Sequence, residues 1–152
     1  ECLKAIDYYH EYFSEKGLYE NEVYLGVPDL LASLKQAGKQ LIVATSKPEE
    51  FSIQILKHFG LYDYFDFVAG ATMDRKRSKK SDVIQYALEQ NGITDLAHTI
   101  MIGDREHDVL GAQAQKFDSI GVLYGFGSRE ELEEAGATYI AQEVGEIAAF
   151  IG

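Results

Sequence analysis

The feature that most limits what this chain can fold into is a recurring set of short, almost wholly apolar runs separated by stretches with helical spacing. Leu41-Ile42-Val43-Ala44, Thr99-Ile100-Met101-Ile102 and Ile120-Gly121-Val122-Leu123 are the clearest of them. A strand wetted on one face alternates polar and apolar residues, whereas a run that is apolar throughout must be covered on both faces. Between the runs, Leu30, Leu31 and Leu34 form one apolar helical stripe, opened by Pro28 and stopped by Gly38. Phe51, Ile55, Leu56 and Phe59 form another, opened by Pro48 and ended at Gly60. A third helix starts at Ser81 or its neighbour and stops at Asn91-Gly92, and Ser128 with Glu131 has the spacing of a capping box. Phe67 to Ala69 and Thr138 to Ile140 are shorter strand candidates. Alternation of this kind predicts an α/β fold, a mostly parallel sheet with helices on both faces. The opening stripe Leu3, Ile6, Tyr9 and Phe13 predicts a further helix, up to Gly17.

Composition narrows the function classes. With 25 acidic and 14 basic residues the chain carries a formal charge of −11, which repels a polyanion, so nucleic acid is not an expected partner. The apolar runs are far too short to cross a bilayer and no targeting segment is recognisable, so no membrane association is expected. The single cysteine, Cys2, cannot form an internal disulfide, and no Cys or His cluster suggests zinc. A reducing cytoplasm is the expected compartment. Against the acidic background, residues 75 to 80 hold five cations in six positions (Arg75, Lys76, Arg77, Lys79, Lys80). Such a run is either a solvated loop or an attractor of small anions.

In open α/β sheets ligands gather beyond the carboxyl ends of the strands. Three places there carry candidate chemistry. Thr45 and Ser46 follow the Leu41 run just ahead of a helix start, where hydroxyls and backbone N–H groups hold phosphoryl oxygens or, alternatively, cap the helix. Gly103, Asp104 and Asp108 follow the Thr99 run. Two carboxylates one turn apart with room for water suit Mg²⁺, though acids at a helix start also simply complement its dipole. Lys80 ends the cationic loop at another helix start. It can neutralise a phosphate and a carboxylate together, as can Lys79, and either can equally be a surface lysine.

In this order, a hydroxyl residue after one strand, then a lysine, then Gly-Asp-x-x-x-Asp after another, the residues resemble the haloacid dehalogenase phosphatases. They read Val-Ala-Thr45-Ser-Lys-Pro, then Lys80 before Asp-Val-Ile-Gln-Tyr-Ala, then Met-Ile-Gly-Asp104-Arg-Glu-His-Asp108. The stretch Gly121-Val-Leu-Tyr-Gly-Phe-Gly-Ser-Arg-Glu-Glu-Leu is similar to the phosphoglycolate phosphatase and nucleotidase branch. The resemblance implies a Rossmann-like three-layer sandwich and Mg²⁺-dependent hydrolysis of a small phosphorylated metabolite. It implies that Thr45 and Ser46 bind the phosphoryl group, that Lys80 balances charge, that Asp104 holds the metal, and that Asp108 binds it through water or orients its ligands. Lys47 receives no role.

The family's first motif, Asp-x-Asp, is absent from the chain. Its first aspartate is the nucleophile that forms an aspartyl-phosphate, and its second is the general acid and base. Asp63 and Asp66 lie in an aromatic connector and do not replace them. The resemblance therefore implies that the central strand bearing this motif is missing, leaving two strand edges to pair with each other, with a second copy or with a separate segment. Residues 1–23 are expected to be the remnant of a helical cap and its connector, and residues 24–152 the α/β core. Alone, such a chain is expected to be inactive. The competing expectation is a catalytically inactive phosphate-binding or dimerisation module. Among enzymes, nucleotidase, pyrophosphatase and sugar-phosphate mutase remain open beside phosphoglycolate phosphatase.

Overall fold

Among the described residues, six parallel strands in the order β3-β2-β1-β4-β5-β6 form the frame of the molecule. The structure is a computed structural model that describes residues 3–6 (backbone), 26–72, 74 and 76–151. The strands are β1 (Leu3–Ile6), β2 (Gln40–Pro48), β3 (Phe67–Ala71), β4 (Thr99–Gly103), β5 (Asp118–Val122) and β6 (Tyr139–Ala141). The helices are α1 (Val27–Gln36), α2 (Glu49–His58), α3 (Lys80–Gln90), α4 (Glu106–Ala114), α5 (Arg129–Ala135) and α6 (Val144–Ile147), with short 3-10 turns between some of them.

The two-sided covering expected from the apolar runs is explicit in β2. Leu41 and Val43 join one apolar cluster with Leu31 and Leu34 of α1, while Ile42 and Ala44 join a second with Val83, Ile84 and Ala87 of α3. Successive side chains of a strand point to opposite faces, so neither set can be polar once both layers are in place. Each fully buried branched side chain stabilises the fold by about 1.5–3 kcal/mol, which makes these runs the principal cohesive element.

The structure corrects the expected opening. Leu3–Ile6 is a strand, not the start of a helix, and it lies between β2 and β4, pairing Lys4 with Leu41 and Lys4 with Ile100. The slot expected to lack a strand is thus filled by the chain's own residues. The physical reason is the ladder: unpaired N–H and C=O groups along two central strands cost more than the helical periodicity of a four-residue segment returns. Residues 7–25, with the rest of the expected cap remnant, lie outside the described residues. Helix boundaries otherwise follow the sequence closely, except that α3 begins at Lys80 with Lys79 in the capping position and no side-chain cap, so Ser81 is inside the helix.

Asp66 sits at the end of the sheet opposite the candidate site, ahead of β3. Its Oδ2 accepts from the Leu41 N–H at 2.8 Å and its Oδ1 pairs with Lys35 at 2.8 Å. This tie sets where β2 begins. Asp66→Ala is expected to lower stability by about 1–2 kcal/mol, read as an earlier urea midpoint. A change below about 0.3 kcal/mol would show the tie to be incidental.

Candidate active site

The carboxyl ends of β2 and β4 deliver Thr45 and Asp104 to the same edge of the sheet, with β1 between them. Both residues are buried, at 2% and 5% exposure. The Thr45 hydroxyl does not cap a helix. Its Oγ1 accepts from the Lys47 N–H at 3.2 Å within the irregular last part of β2, ahead of α2, whose capping position is Pro48. Ser46 is only partly buried and lines a cavity of about 520 Å³ together with Lys79, Lys80, Arg105, His107 and Asp108.

Lys80 is the first residue of α3 and lies only 7% exposed, far from the surface lysine that spacing allowed. Its ammonium is 2.7 Å from Asp108 Oδ1 and donates to the Ala44 carbonyl at 3.2 Å. One cation therefore ties the end of β2 to the first turn of α4. Lys79, the other candidate, is exposed on the cavity rim. Arg77 is not available to a ligand in the same sense: it donates to the Gly70 carbonyl at 2.8 Å, pairs with Glu49 at 3.2 Å and stacks 3.6 Å over the Tyr86 ring. The cationic run thus divides into a structural arginine, a buried lysine and exposed flanking lysines. Arg75 lies outside the described residues.

Asp108 is 1% exposed, with Oδ1 lacking a hydrogen bond but ion-paired to Lys80 at 2.7 Å and Oδ2 accepting from the Arg105 N–H at 3.2 Å. Asp104 is different. Its Oδ2 accepts from the Phe126 N–H at 2.8 Å, but among the described residues its buried Oδ1 has neither a hydrogen-bond partner nor an ion pair. Burial pushes its carboxyl above the usual range and Asp108 adds to the push, while the Phe126 N–H and Lys80 pull the other way. A buried carboxylate with one orphan oxygen fits a divalent cation, whose charge would reverse that shift. Asp104 is thus suited to direct ligation, and Asp108 to an indirect role. Among the described residues no group of three or more His, Cys, Asp or Glu side chains gathers around a metal position.

The loop after β5 closes on Asp104 so tightly that a Cβ on Gly125 would collide with its carboxylate and one on Gly127 with its carbonyl. Gly103 meets Asp108 in the same way. The sequence marked this loop only through its family-like stretch Gly121 to Leu132, and the pair of glycines around Phe126 was the visible sign of the close approach. Glu131 was marked there only as half of a capping box with Ser128. Ser128 accepts from the Glu131 N–H at 3.0 Å, as a capping box requires, but the Glu131 carboxylate turns away to Arg105 Nε at 3.0 Å and to the Glu106 N–H at 2.8 Å. Burial alone would raise the Glu131 carboxyl, yet these two donors hold it below the usual range. Lys47 is buried beside Thr45.

This arrangement, a hydroxyl and an aspartate flanking a central strand with a buried lysine bridging behind them, agrees with comparisons to known proteins. A sequence profile described as haloacid dehalogenase-like hydrolase matches residues 2–122. The chain belongs to the haloacid dehalogenase-like hydrolases. A solved structure titled as a predicted phosphatase from Clostridium acetobutylicum superposes on this hydrolase-family chain with a TM-score of 0.88 at 54% identity, over 92% of this chain and 64% of that one. A 5'-nucleotidase of Pseudomonas aeruginosa is 40% identical over 93% of this chain and 63% of its own length. PtkA of Mycobacterium tuberculosis, named a tyrosine-protein kinase, is 38% identical over 90% of this chain and 47% of its own. A phosphoglycolate phosphatase of Neisseria meningitidis is 35% identical over 71% of this chain and 46% of its own. The chain therefore spans roughly half to two thirds of the length of these haloacid dehalogenase-like relatives. Among the described residues no helix is long and apolar enough to cross a membrane.

Proposed function

We propose that the full-length protein hydrolyses a small phosphate monoester with Mg²⁺, and that residues 24–152 form the α/β core that supplies its phosphate pocket and metal ligand. The observation that carries this reading is the orphan Oδ1 of buried Asp104, on the same sheet edge as Thr45 and Lys80. A carboxylate in that state is costly unless a cation is to meet it.

In this reading Thr45 and Ser46 hold the phosphoryl oxygens, and Lys80 places a positive charge between that group and Asp108. Asp104 would hold Mg²⁺, which supplies charge neutralisation and a template for in-line displacement. The Phe126 N–H occupies Oδ2, which leaves Oδ1 as the oxygen for the metal. The attacking aspartate, and the second carboxylate that moves the proton, are supplied by an Asp-x-Asp segment outside residues 1–152 that takes the central position held here by Leu3–Ile6. Asp7 follows β1 in sequence, but Tyr9 stands where the motif needs its second carboxylate, and Asp7 lies outside the described residues. It is assigned no role.

The test is a substrate panel on the full-length protein, with phosphoglycolate, nucleoside monophosphates, pyrophosphate and sugar phosphates, assayed for phosphate release with Mg²⁺ and with chelator. Metal-dependent release from at least one monoester is expected, at a rate at least about 100-fold lower in Thr45→Ala. An arm with ATP and a tyrosine-containing acceptor separates hydrolysis from transfer, because the kinase-named relative shares this core. Absence of release from every substrate in an intact, folded protein, or transfer alone, would overturn the reading. Adding an Asp-x-Asp segment to the 152-residue chain tests the division of labour: activity is expected only when both parts are present.

A further inference from the structure

We infer that Glu131, which the sequence offered only as half of a capping box within the family-like stretch Gly121 to Leu132, is a positioning residue that sets, from a separate helix, the aspartate proposed to bind the metal. The inference rests on the reading above, because it concerns the same metal position.

The argument starts from the first turn of α4. A helix leaves its first N–H groups without internal partners, and the residue in the capping position normally supplies an oxygen. Here that residue is Arg105, which has only donors. Asp108 takes the Arg105 N–H, and the N–H of Glu106 is left for an acceptor from elsewhere. Glu131, the third residue of α5 and 25 positions away, provides it at 2.8 Å through Oε2. The same oxygen accepts from Arg105 Nε at 3.0 Å. Glu131 is itself fixed, since Ser128 holds its backbone N–H.

These bonds bear on Asp104 through geometry. The segment from Gly125 to Glu131 touches residues 104–106 at three consecutive levels. Phe126 donates to Asp104 Oδ2, Gly127 packs against the Asp104 carbonyl, and Glu131 grips the next two residues. Asp104 has no regular structure of its own to define its direction, lying between the end of β4 and the start of α4. Removing the outermost clamp lets the peptide after Asp104 turn, and the carboxylate that the loop has aimed turns with it. Groups that orient a metal ligand in this way usually contribute 10–100-fold to metal affinity.

The test measures Mg²⁺ binding to the full-length protein by calorimetry without substrate, beside the Mg²⁺ dependence of phosphate release. Glu131→Ala is expected to weaken Mg²⁺ binding about tenfold. Glu131→Gln keeps an acceptor for both donors and is expected to stay within about threefold of the parent. At saturating Mg²⁺ the alanine variant should recover most of its rate, a split that general loss of structure would not give. If Glu131→Ala binds Mg²⁺ as the parent does, or if the glutamine variant is as weak as alanine, the inference fails while the proposed function stands. A parent protein that binds no Mg²⁺ at all would overturn both.

Discussion

Lys80→Met is expected to destabilise the protein by about 3–5 kcal/mol and to remove the phosphate release proposed for the full-length protein, because it strands Asp108 in the interior. The ammonium lies 2.7 Å from Asp108 Oδ1, and both side chains are almost fully buried, at 5% and 1% exposure. An exposed pair at that distance would matter little. A buried one is asymmetric: the intact pair contributes modestly to net stability, whereas either partner alone is a desolvated charge. The double variant Lys80→Met/Asp108→Leu should therefore recover a large part of the lost stability without recovering activity. Guanidinium denaturation of the three proteins decides the matter. A single-variant cost below about 1 kcal/mol would mean that water reaches Asp108 and that the pair is not the tie between β2 and α4 described above.

Asp104→Asn should do the opposite to stability. The amide oxygen can still accept from Phe126, and the buried charge is gone, so the metal-free fold is expected to gain about 1 kcal/mol while phosphate release falls at least about 1,000-fold. The sign follows from the raised carboxyl of Asp104. A carboxyl that is harder to ionise folded than unfolded favours the folded state fully at pH values below the ordinary carboxylate range. That contribution is lost as pH rises through the elevated value. The parent without metal should therefore fall behind the asparagine variant as pH rises towards neutral. Saturating Mg²⁺ should reverse the order, adding about 2.7 kcal/mol to the parent at 100 times the dissociation constant and nothing to the variant. Thermal unfolding across pH, with and without Mg²⁺, reads all of this, and equal stabilisation of both proteins by Mg²⁺ would remove Asp104 from the metal position.

Much of this site can be read from the residue order because its parts are strand ends. Thr45 and Asp104 follow runs whose apolarity is dictated by burial on two faces, and a position defined by a strand end is fixed by the sheet. Lys80 was harder to place, since a lysine in a cationic loop looks the same whether it points inward or outward. Only the packing of α3 against α4 shows that it is enclosed. Glu131 was out of reach for a related reason. Its spacing from Ser128 fits a local capping box, and no one-dimensional pattern reveals that its carboxylate serves a helix start 25 residues earlier. Leu3–Ile6 failed in the other direction, because a clear helical stripe was overruled by two neighbouring strands that needed partners.

The order of the sheet also sets a length. Adjacent strands lie about 4.8 Å apart, so placing one strand between β2 and β4 holds the strand that carries Thr45 and the strand that leads to Asp104 about 9.6 Å from each other. In the proposed reaction that gap would have to hold the phosphoryl group and the hydrated ion side by side. Whatever sequence fills the middle of the sheet therefore acts as a gauge block. Its presence fixes the spacing of those two strands whatever side chains it carries.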